Sequence, residues 1–248
     1  AIATAITLTL VEPTGNGVGS DAFAIVWDGK ELHGLNASGR SPAAWTPERF
    51  AAQKEMPFRG WESVTVPGAV SAWVSLSERF GALAFADLFE PAIAYAQNGF
   101  IVTPVIAQLW QRAAAELGQY PGFSEAFLPN GAPPKAGERF TNLPLAKTLQ
   151  LIANTKGEAF YKGTLAQTIC DFAKQHGAAL TMADMAAHKA DWCGTISQKF
   201  DDVELHEIPP NGQGIAALMA LGILSATSIR ELDADDPLAF HLQIEAMK

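Results

Sequence analysis

The chain has 248 residues, of which 48% are hydrophobic and 17% charged, and its formal net charge is −9 at neutral pH. This many apolar side chains can bury one large core or two moderate ones, so we expect a globular protein. The negative charge disfavours nucleic acid and anionic membranes as general partners, because both attract a cationic surface. An anionic small substrate remains possible, since one arginine is enough to hold it.

The apolar opening, Ala1 to Leu10, is too short to span a bilayer and lacks the basic segment of a signal peptide. We expect it to be the second half of a buried helix. The two cysteines, Cys170 and Cys193, are too few for a disulfide scaffold and fit no zinc spacing, so we expect buried thiols. Two cysteines do not indicate whether the protein works in an oxidising or a reducing compartment.

The strongest local signal is a hairpin. Asp28-Gly29 separates two runs rich in β-branched and aromatic residues, Phe23 to Trp27 and Glu31 to Leu35, and predicts a tight turn between strands. A glycine-rich corner, Pro13 to Asp21, precedes the hairpin. Because a strand and not a helix follows that corner, it is not expected to bind a dinucleotide.

Most of the remaining chain shows helical patterns. Helices are predicted at 46–52, 67–83, 85–97, 102–117, 144–154, 163–176, 181–188, 215–224 and 236–248. Gly177 is expected to end the helix at 163–176, and Thr181 and Asp184 to form a capping box at the start of the next one. Gly118 to Asn142 is rich in turn-forming residues and reads as a long surface excursion. Further strands are predicted at Trp192–Lys199 and Val203–Ile208, and a second glycine-bearing corner at Pro209–Gly214. Strands at both ends with helices between them favour an α/β layered domain whose sheet is incomplete within this chain.

Common catalytic motifs are absent: there is no GxSxG elbow, HExxH helix, Walker loop or EF-hand loop. The five histidines share no ligand spacing, so no metal and no cofactor is expected. The polar elbow after the hairpin, residues 36–42, holds the best candidate, Arg40. Its planar guanidinium fits a carboxylate in a bidentate manner. The alternative is a surface arginine that packs on Trp45 or pairs with Glu48.

Ser38 and Asn36 are polar groups on the same elbow, and we predict that they contact substrate together with Arg40. The alternative is that both side chains hydrogen-bond to their own backbone within a turn, as serine and asparagine commonly do.

Seven short motifs occur in order along the chain. They are Val11-Glu12-Pro13 with Val18-Gly19-Ser20-Asp21-Ala22-Phe23, Asn36-Ala37-Ser38-Gly39-Arg40-Ser41-Pro42, Val66-Pro67-Gly68-Ala69-Val70, Asn98-Gly99-Phe100-Ile101-Val102, Phe160-Tyr161-Lys162-Gly163-Thr164-Leu165-Ala166, Leu180-Thr181-Met182-Ala183-Asp184 and Pro209-Pro210-Asn211-Gly212-Gln213-Gly214. Together they resemble the large subunit of the gamma-glutamyltranspeptidase family.

The resemblance implies an N-terminal nucleophile (Ntn) hydrolase fold, an αββα sandwich, with residues 1–248 as a single domain that forms most of the large subunit. In that family the precursor cuts itself, and the new N-terminal threonine of the small subunit is the nucleophile. The implied partner is therefore a small subunit, the implied substrate a gamma-glutamyl amide of the glutathione type, and no catalytic residue is expected in this chain. The implied reaction passes through an acyl-enzyme.

The elbow departs from the family pattern. Typical members carry Asn-Ala-Arg-Glu-x-Ala-Pro or a similar run, whereas this chain has Ser38 and Gly39 at the Arg-Glu positions and Arg40 two residues after the usual arginine. Two residues of extended chain span about 6.6 Å. An acylase acting on glutaryl or other dicarboxylic acyl amides is therefore an alternative, and a catalytically inactive binding relative is another.

Overall fold

The computed structural model describes all residues, 1–248, and divides into two compact units. The first unit comprises Ala1–Asp21 and Ser38–Lys189, and the second comprises Ala22–Ala37 and Ala190–Lys248. The single domain expected for residues 1–248 stays a prediction. No helix of the chain combines the length and the hydropathy needed to cross a bilayer.

Twelve α-helices and seven strands form the chain. In order they are α1 (Ile2–Val11), β1 (Ala22–Trp27), β2 (Leu32–Ala37), α2 (Pro47–Phe50), α3 (Ala69–Phe80), α4 (Glu90–Asn98), β3 (Phe100–Ile101), α5 (Pro104–Leu117), α6 (Phe123–Phe127), β4 (Arg139–Phe140), α7 (Leu143–Thr155), α8 (Glu158–Tyr161), α9 (Thr164–Gln175), α10 (Met182–Ala187), β5 (Asp191–Trp192), β6 (Ile196–Phe200), β7 (Val203–Glu207), α11 (Gly214–Ser225) and α12 (Pro237–Met247).

Helix boundaries follow local capping chemistry in the first unit. Asn142 caps α7 by accepting a hydrogen bond from the Leu145 amide, and Gly177, at φ +72°, follows the end of α9. The helix expected at 85–97 is instead a 3₁₀ turn, Phe85–Phe89, followed by α4, because Pro91 lacks an amide hydrogen and fits only the first turn of a helix. Likewise α3 ends at Phe80 and does not reach residue 83.

The core of the first unit surrounds Trp110 on α5, which is 1% exposed. Its indole Nε1 donates a hydrogen bond to the Phe127 carbonyl oxygen at 2.8 Å, and its ring centroid lies 4.8 Å from that of Phe140. Both partners belong to the segment 118–142, which the sequence analysis expected on the surface. That expectation was wrong in part, because Phe140 is buried within this core.

The second unit contains a three-stranded antiparallel sheet in the order β1, β2, β5 and a separate hairpin of β6 and β7. The predicted β1–β2 hairpin is confirmed, with register from Ala22 opposite Ala37 to Trp27 opposite Leu32. Its turn is longer than expected. The Asp28 carboxylate accepts hydrogen bonds from the amides of residues 30 and 31, so Glu31 belongs to the turn and not to the strand.

Two further expectations in the second unit change. The predicted strand Trp192–Lys199 is broken at Gly194, which has φ +67°, into β5 and β6. Of the two thiols expected to be buried, Cys193 is exposed whereas Cys170, in the first unit, is buried. Burial raises the pKa of the Cys170 thiol.

Candidate functional site

The segment that carries Arg40 lies in the first unit and is held by hydrogen bonds of its backbone. The Gly39 amide donates to Asp21 Oδ1 at 2.8 Å, and the Arg40 carbonyl accepts from the Val66 amide at 3.0 Å. Pro42 is buried, whereas Arg40 is exposed. The backbone is thus fixed while the guanidinium reaches the surface.

Asp184 on α10 holds the end of this segment. Its Oδ1 accepts a hydrogen bond from the Ala43 amide at 2.9 Å, while its Oδ2 accepts from the Thr181 amide and hydroxyl at 2.9 and 2.6 Å. Desolvation raises the pKa of Asp184, but the hydrogen bonds from Thr181 and Ala43 outweigh it and leave that pKa below its ordinary value. The capping box predicted at Thr181 to Asp184 is confirmed, and its carboxylate also anchors the Arg40 segment.

A cavity of about 220 Å³ opens beside this segment. It is lined by Arg40, Ser41, Ala43, Val66, Asp184, Ala187 and His188. Sites for drug-sized ligands typically measure about 300–1,000 Å³, so this volume suits one end of a small substrate. The guanidinium of Arg40 gives this wall of the cavity a cationic group that can pair with an acidic group of a ligand.

The alternative contacts considered for Arg40 involve two neighbours with partners of their own. Trp45 packs edge-on against Phe50, with ring centroids 5.7 Å apart. A hydrogen bond from the Thr46 side chain lowers the pKa of Glu48. The packing of Arg40 on Trp45 and its pairing with Glu48 stay predictions.

His188 belongs to a hydrogen-bonded group at the wall of the cavity. The Ser71 hydroxyl lies 2.7 Å from the Gly68 carbonyl oxygen and 2.9 Å from His188 Nε2. A hydroxyl carries a single hydrogen, which goes to the carbonyl oxygen because that atom cannot donate. His188 Nε2 must therefore donate to Ser71, which assigns the Nε2–H tautomer to the neutral ring.

Tyr161 completes this group. Its hydroxyl donates to the Pro67 carbonyl oxygen at 2.8 Å and accepts from the Ser71 amide at 3.1 Å, and its ring stacks on His188 with centroids 5.2 Å apart. Burial raises the pKa of Tyr161 to about 12. The phenol therefore stays protonated and bonded throughout the neutral range.

Replacing Tyr161 with phenylalanine should change stability at alkaline pH. The pKa of this phenol is about 12 in the folded protein against 10.0 ordinarily, so the unfolded chain loses the proton first and stability falls as pH rises from 10 to 12. The difference between these two pKa values corresponds to roughly 3 kcal/mol. Urea unfolding at pH 8, 10 and 12 should show a smaller alkaline loss in the variant than in the wild type. An equal loss would contradict the burial of a titrating phenol here.

Asn36, the third predicted site residue, lies on β2 in the second unit. Its side-chain Nδ2 donates to Asn211 Oδ1 at 2.8 Å, and its backbone pairs with residues 23 and 191. Asn36 was expected at the elbow, but it is part of the strand. Its side chain connects β2 to the glycine-bearing corner at 209–214, and its contact with substrate stays a prediction.

One group of side chains in the second unit resembles a cation site. Ligand atoms of Asp28, Glu31 and His33 lie within 4.8 Å of one another. The His33 Nε2 atom is 2.8 Å from Asp28 Oδ2, and hydrogen bonds from the turn amides and His33 hold the pKa of Asp28 well below its usual range. The closing of the hairpin turn thus explains the cluster without a metal ion.

Sequence reasoning identified Arg40 but missed the residues that support it. Tyr161 and Asp184 occur in the motifs that carry the family resemblance, the first without an assigned role and the second as a helix cap. His188 gave no signal, because its partner Ser71 lies 117 positions away in the chain.

Comparison with known proteins places these observations in a family. The gamma-glutamyltranspeptidase family model matches residues 1–248. The chain is 33% identical over 251 residues to the glutathione hydrolase-like YwrD proenzyme of Bacillus subtilis, and 34% identical over 257 residues to the oxamate amidohydrolase proenzyme of Klebsiella pneumoniae. Each alignment covers 100% of this chain and 48% of the relative.

Among solved structures, the cephalosporin acylase from Bacillus halodurans matches with a TM-score of 0.95 and 42% identity, over 100% of this chain and 47% of that one. This likeness confirms the expected fold class, the αββα sandwich of Ntn hydrolases, to which this chain supplies helices and part of the sheet. The chain spans about half the length of the curated relatives it matches. Since the family model matches it from end to end, the chain belongs to the gamma-glutamyltranspeptidase family.

Proposed function

We propose that this chain is the large-subunit part of a self-processing Ntn hydrolase that transfers or hydrolyses the gamma-glutamyl group of glutathione-type amides. Family membership supports this function, as do the relatives described as proenzymes.

The reaction needs a nucleophile from the partner subunit. A threonine hydroxyl, deprotonated by its own α-amine, attacks the amide carbonyl carbon. The carbon–nitrogen bond breaks, the amine leaves with a proton, and the acyl group remains on the threonine as an ester. Water or a second amine then attacks the ester and releases the acid or a new amide. The part of this chain is to bind and orient the acyl donor.

The observation that carries the proposal is the position of Arg40 beside the cavity. A guanidinium donates two parallel hydrogen bonds to a carboxylate, and the fixed backbone at residues 39 and 40 reduces the entropy lost on binding. We assign the carboxylate at the acyl tail to Arg40. Ser38, which is half-buried, and Asn36 are proposed as further contacts.

A small subunit is proposed to cover the apolar face of the second unit. The strand β1 exposes Phe23, Ile25 and Trp27, which alternate along it and therefore share one face. Large apolar side chains grouped in this way are typical of an interaction surface. Exposed apolar residues also occur on α11 and α12; they are Ile215, Met219, Ile223, Leu238, Phe240, Ile244 and Met247.

An acylase for glutaryl or other dicarboxylic acyl amides is the second candidate. Two observations favour it: the departure from the family pattern at Ser38 and Gly39, and the 42% identity with a cephalosporin acylase. A glutaryl group keeps the terminal carboxylate but lacks the α-amine of a glutamyl group. The two candidates therefore differ in whether the site recognises that amine.

The decisive experiment uses the complete precursor. We expect two fragments on a denaturing gel and release of nitroaniline from gamma-glutamyl-p-nitroanilide. Faster turnover of glutaryl-p-nitroanilide would instead favour the acylase. A single uncut band without turnover of either compound would favour the third possibility, a catalytically inactive binding relative.

Replacing Arg40 with alanine should raise KM for a carboxylate-bearing anilide. A hydrogen bond to a charged group contributes about 1.5–3 kcal/mol, which corresponds to roughly a tenfold to hundredfold change in KM. Turnover of butyryl-p-nitroanilide, which lacks the carboxylate, should not change.

The matched control is Arg112→Ala, since Arg112 is an exposed arginine on α5. If Arg40→Ala and Arg112→Ala give the same KM as the wild type for the carboxylate-bearing anilide, Arg40 does not bind the donor.

A further inference from the structure

We propose that His188 is a positioning residue, which acts through Ser71 and Tyr161 on the backbone turn that holds Arg40 beside the cavity. The inference rests on the proposed function, because it needs Arg40 to bind the carboxylate of the acyl donor. It assigns to His188 a role in substrate affinity and none in the chemical step.

His188 contacts two side chains that bind the backbone turn at residues 67 and 68, directly before α3. His188 donates to the Ser71 hydroxyl at 2.9 Å and stacks on the ring of Tyr161 at an interplanar angle of 26°. Both partners bind carbonyl oxygens of that turn: Ser71 binds Gly68 at 2.7 Å, and Tyr161 binds Pro67 at 2.8 Å. His188 therefore supports the turn from two directions.

The backbone next to this turn is hydrogen-bonded to the segment that carries Arg40. Val66 directly precedes Pro67, and its amide donates to the Arg40 carbonyl oxygen at 3.0 Å. The Val66 carbonyl also packs so closely on Gly39 that no side chain fits between them. A displacement of the turn would therefore move the backbone from which the Arg40 side chain extends.

The place of His188 in the chain makes this support specific. His188 directly follows α10, and the same helix carries Asp184, which holds the Ala43 amide. The Arg40 segment is thus tied to this region twice, once through Asp184 and once through the turn that His188 supports. His188 itself lines the cavity beside Arg40, so the support lies next to the bound group.

Kinetics of His188→Phe in the processed enzyme test the role. Phenylalanine keeps a ring for stacking but removes the Nε2–H donor. Because the variant loses one hydrogen bond, KM for the carboxylate-bearing anilide should rise roughly threefold to tenfold while kcat stays within about twofold. His188→Gln restores a donor and should recover most of the affinity. His241→Phe, at an exposed histidine on α12, is the matched control.

A double variant tests whether His188 acts through Arg40. In the Arg40→Ala background, His188→Phe should raise KM no further, because the group that it positions is gone. A further increase of the same size would overturn the proposal, as would a fall in kcat at unchanged KM.

Hydrogen exchange separates this inference from the proposed function. The Val66 amide bonds to Arg40, and those of Gly68 and Ala69 both bond to the Ser20 carbonyl oxygen. Their exchange should accelerate about threefold to tenfold in His188→Phe and not in His241→Phe. If the wild type turns over no anilide, the proposed function fails. Accelerated exchange in His188→Phe would still show that His188 stabilises the turn. Unchanged exchange overturns the inference whatever the enzyme does.

Discussion

Replacing Gly39 with alanine should nearly abolish turnover of a carboxylate-bearing amide. An alanine Cβ would overlap the Val66 carbonyl oxygen and lie 2.5 Å from its carbonyl carbon. Both are backbone atoms and cannot rotate away as the end of a side chain does. The two segments must separate, which breaks the 3.0 Å hydrogen bond between Arg40 and Val66. A misplacement of about 1 Å costs on the order of a hundredfold in rate, so kcat/KM should fall by at least that factor.

Gly19→Ala is the control for this prediction. Gly19 lies in the first unit as well, but nothing stands within 4 Å of the Cβ that alanine would add there. Its kcat/KM and melting temperature should match those of the wild type. Gly39→Ala should also lower the melting temperature, because inserting a methyl group into a filled site costs about 1–3 kcal/mol. If the two variants behave alike in both measurements, the close approach of residues 39 and 66 is not needed for function.

Local signals in the sequence predicted much of the fold. The β1–β2 hairpin, the capping box at Thr181 and Asp184 and the helix end at Gly177 each depend on residues within a few positions of one another. Such features can be inferred from one chain, because the groups that stabilise them are neighbours in the sequence.

Features that depend on distant partners escaped the sequence analysis. Phe140 follows a stretch of prolines and glycines that indicates a surface loop, but its ring packs on Trp110, which is 30 positions earlier. The length of the Asp28 turn was missed because the carboxylate satisfies two amides, a geometry that Asp-Gly alone does not specify.

The candidate site likewise combines a residue that the sequence predicted with supporting residues that it did not. Arg40 was predicted because its side chain has a chemistry that can be named without a structure. The groups that hold the Arg40 backbone were not predicted, because their partners are distant in the sequence. Tyr161 contacts Pro67 across 94 positions, and Asp184 contacts Ala43 across 141. Identifying such supports needs either a structure or a resemblance to a family, and the resemblance identified the motifs without saying what they bind.

Replacing Trp110 with alanine should cause the largest loss of stability in the first unit. The indole is 1% exposed, packs on Phe140 and donates its hydrogen to the Phe127 carbonyl oxygen at 2.8 Å. Removing a buried tryptophan costs about 3–5 kcal/mol, since a cavity remains where the ring was. For a unit of this size each kcal/mol lowers the melting temperature by about 2–4 °C, so we expect a fall of roughly 10 °C.

Two further variants separate the ring from its hydrogen bond. Trp110→Phe keeps most of the apolar contact but leaves the Phe127 carbonyl without its donor, a loss of about 1–3 kcal/mol. Val105→Ala, at a side chain that is 66% exposed on the same helix, should stay within about 0.5 kcal/mol of the wild type. Thermal and urea unfolding measure the relative stabilities of Trp110→Ala, Trp110→Phe and Val105→Ala. If Trp110→Ala is no less stable than Val105→Ala, this ring does not anchor the core, and the segment 118–142 is a surface excursion after all.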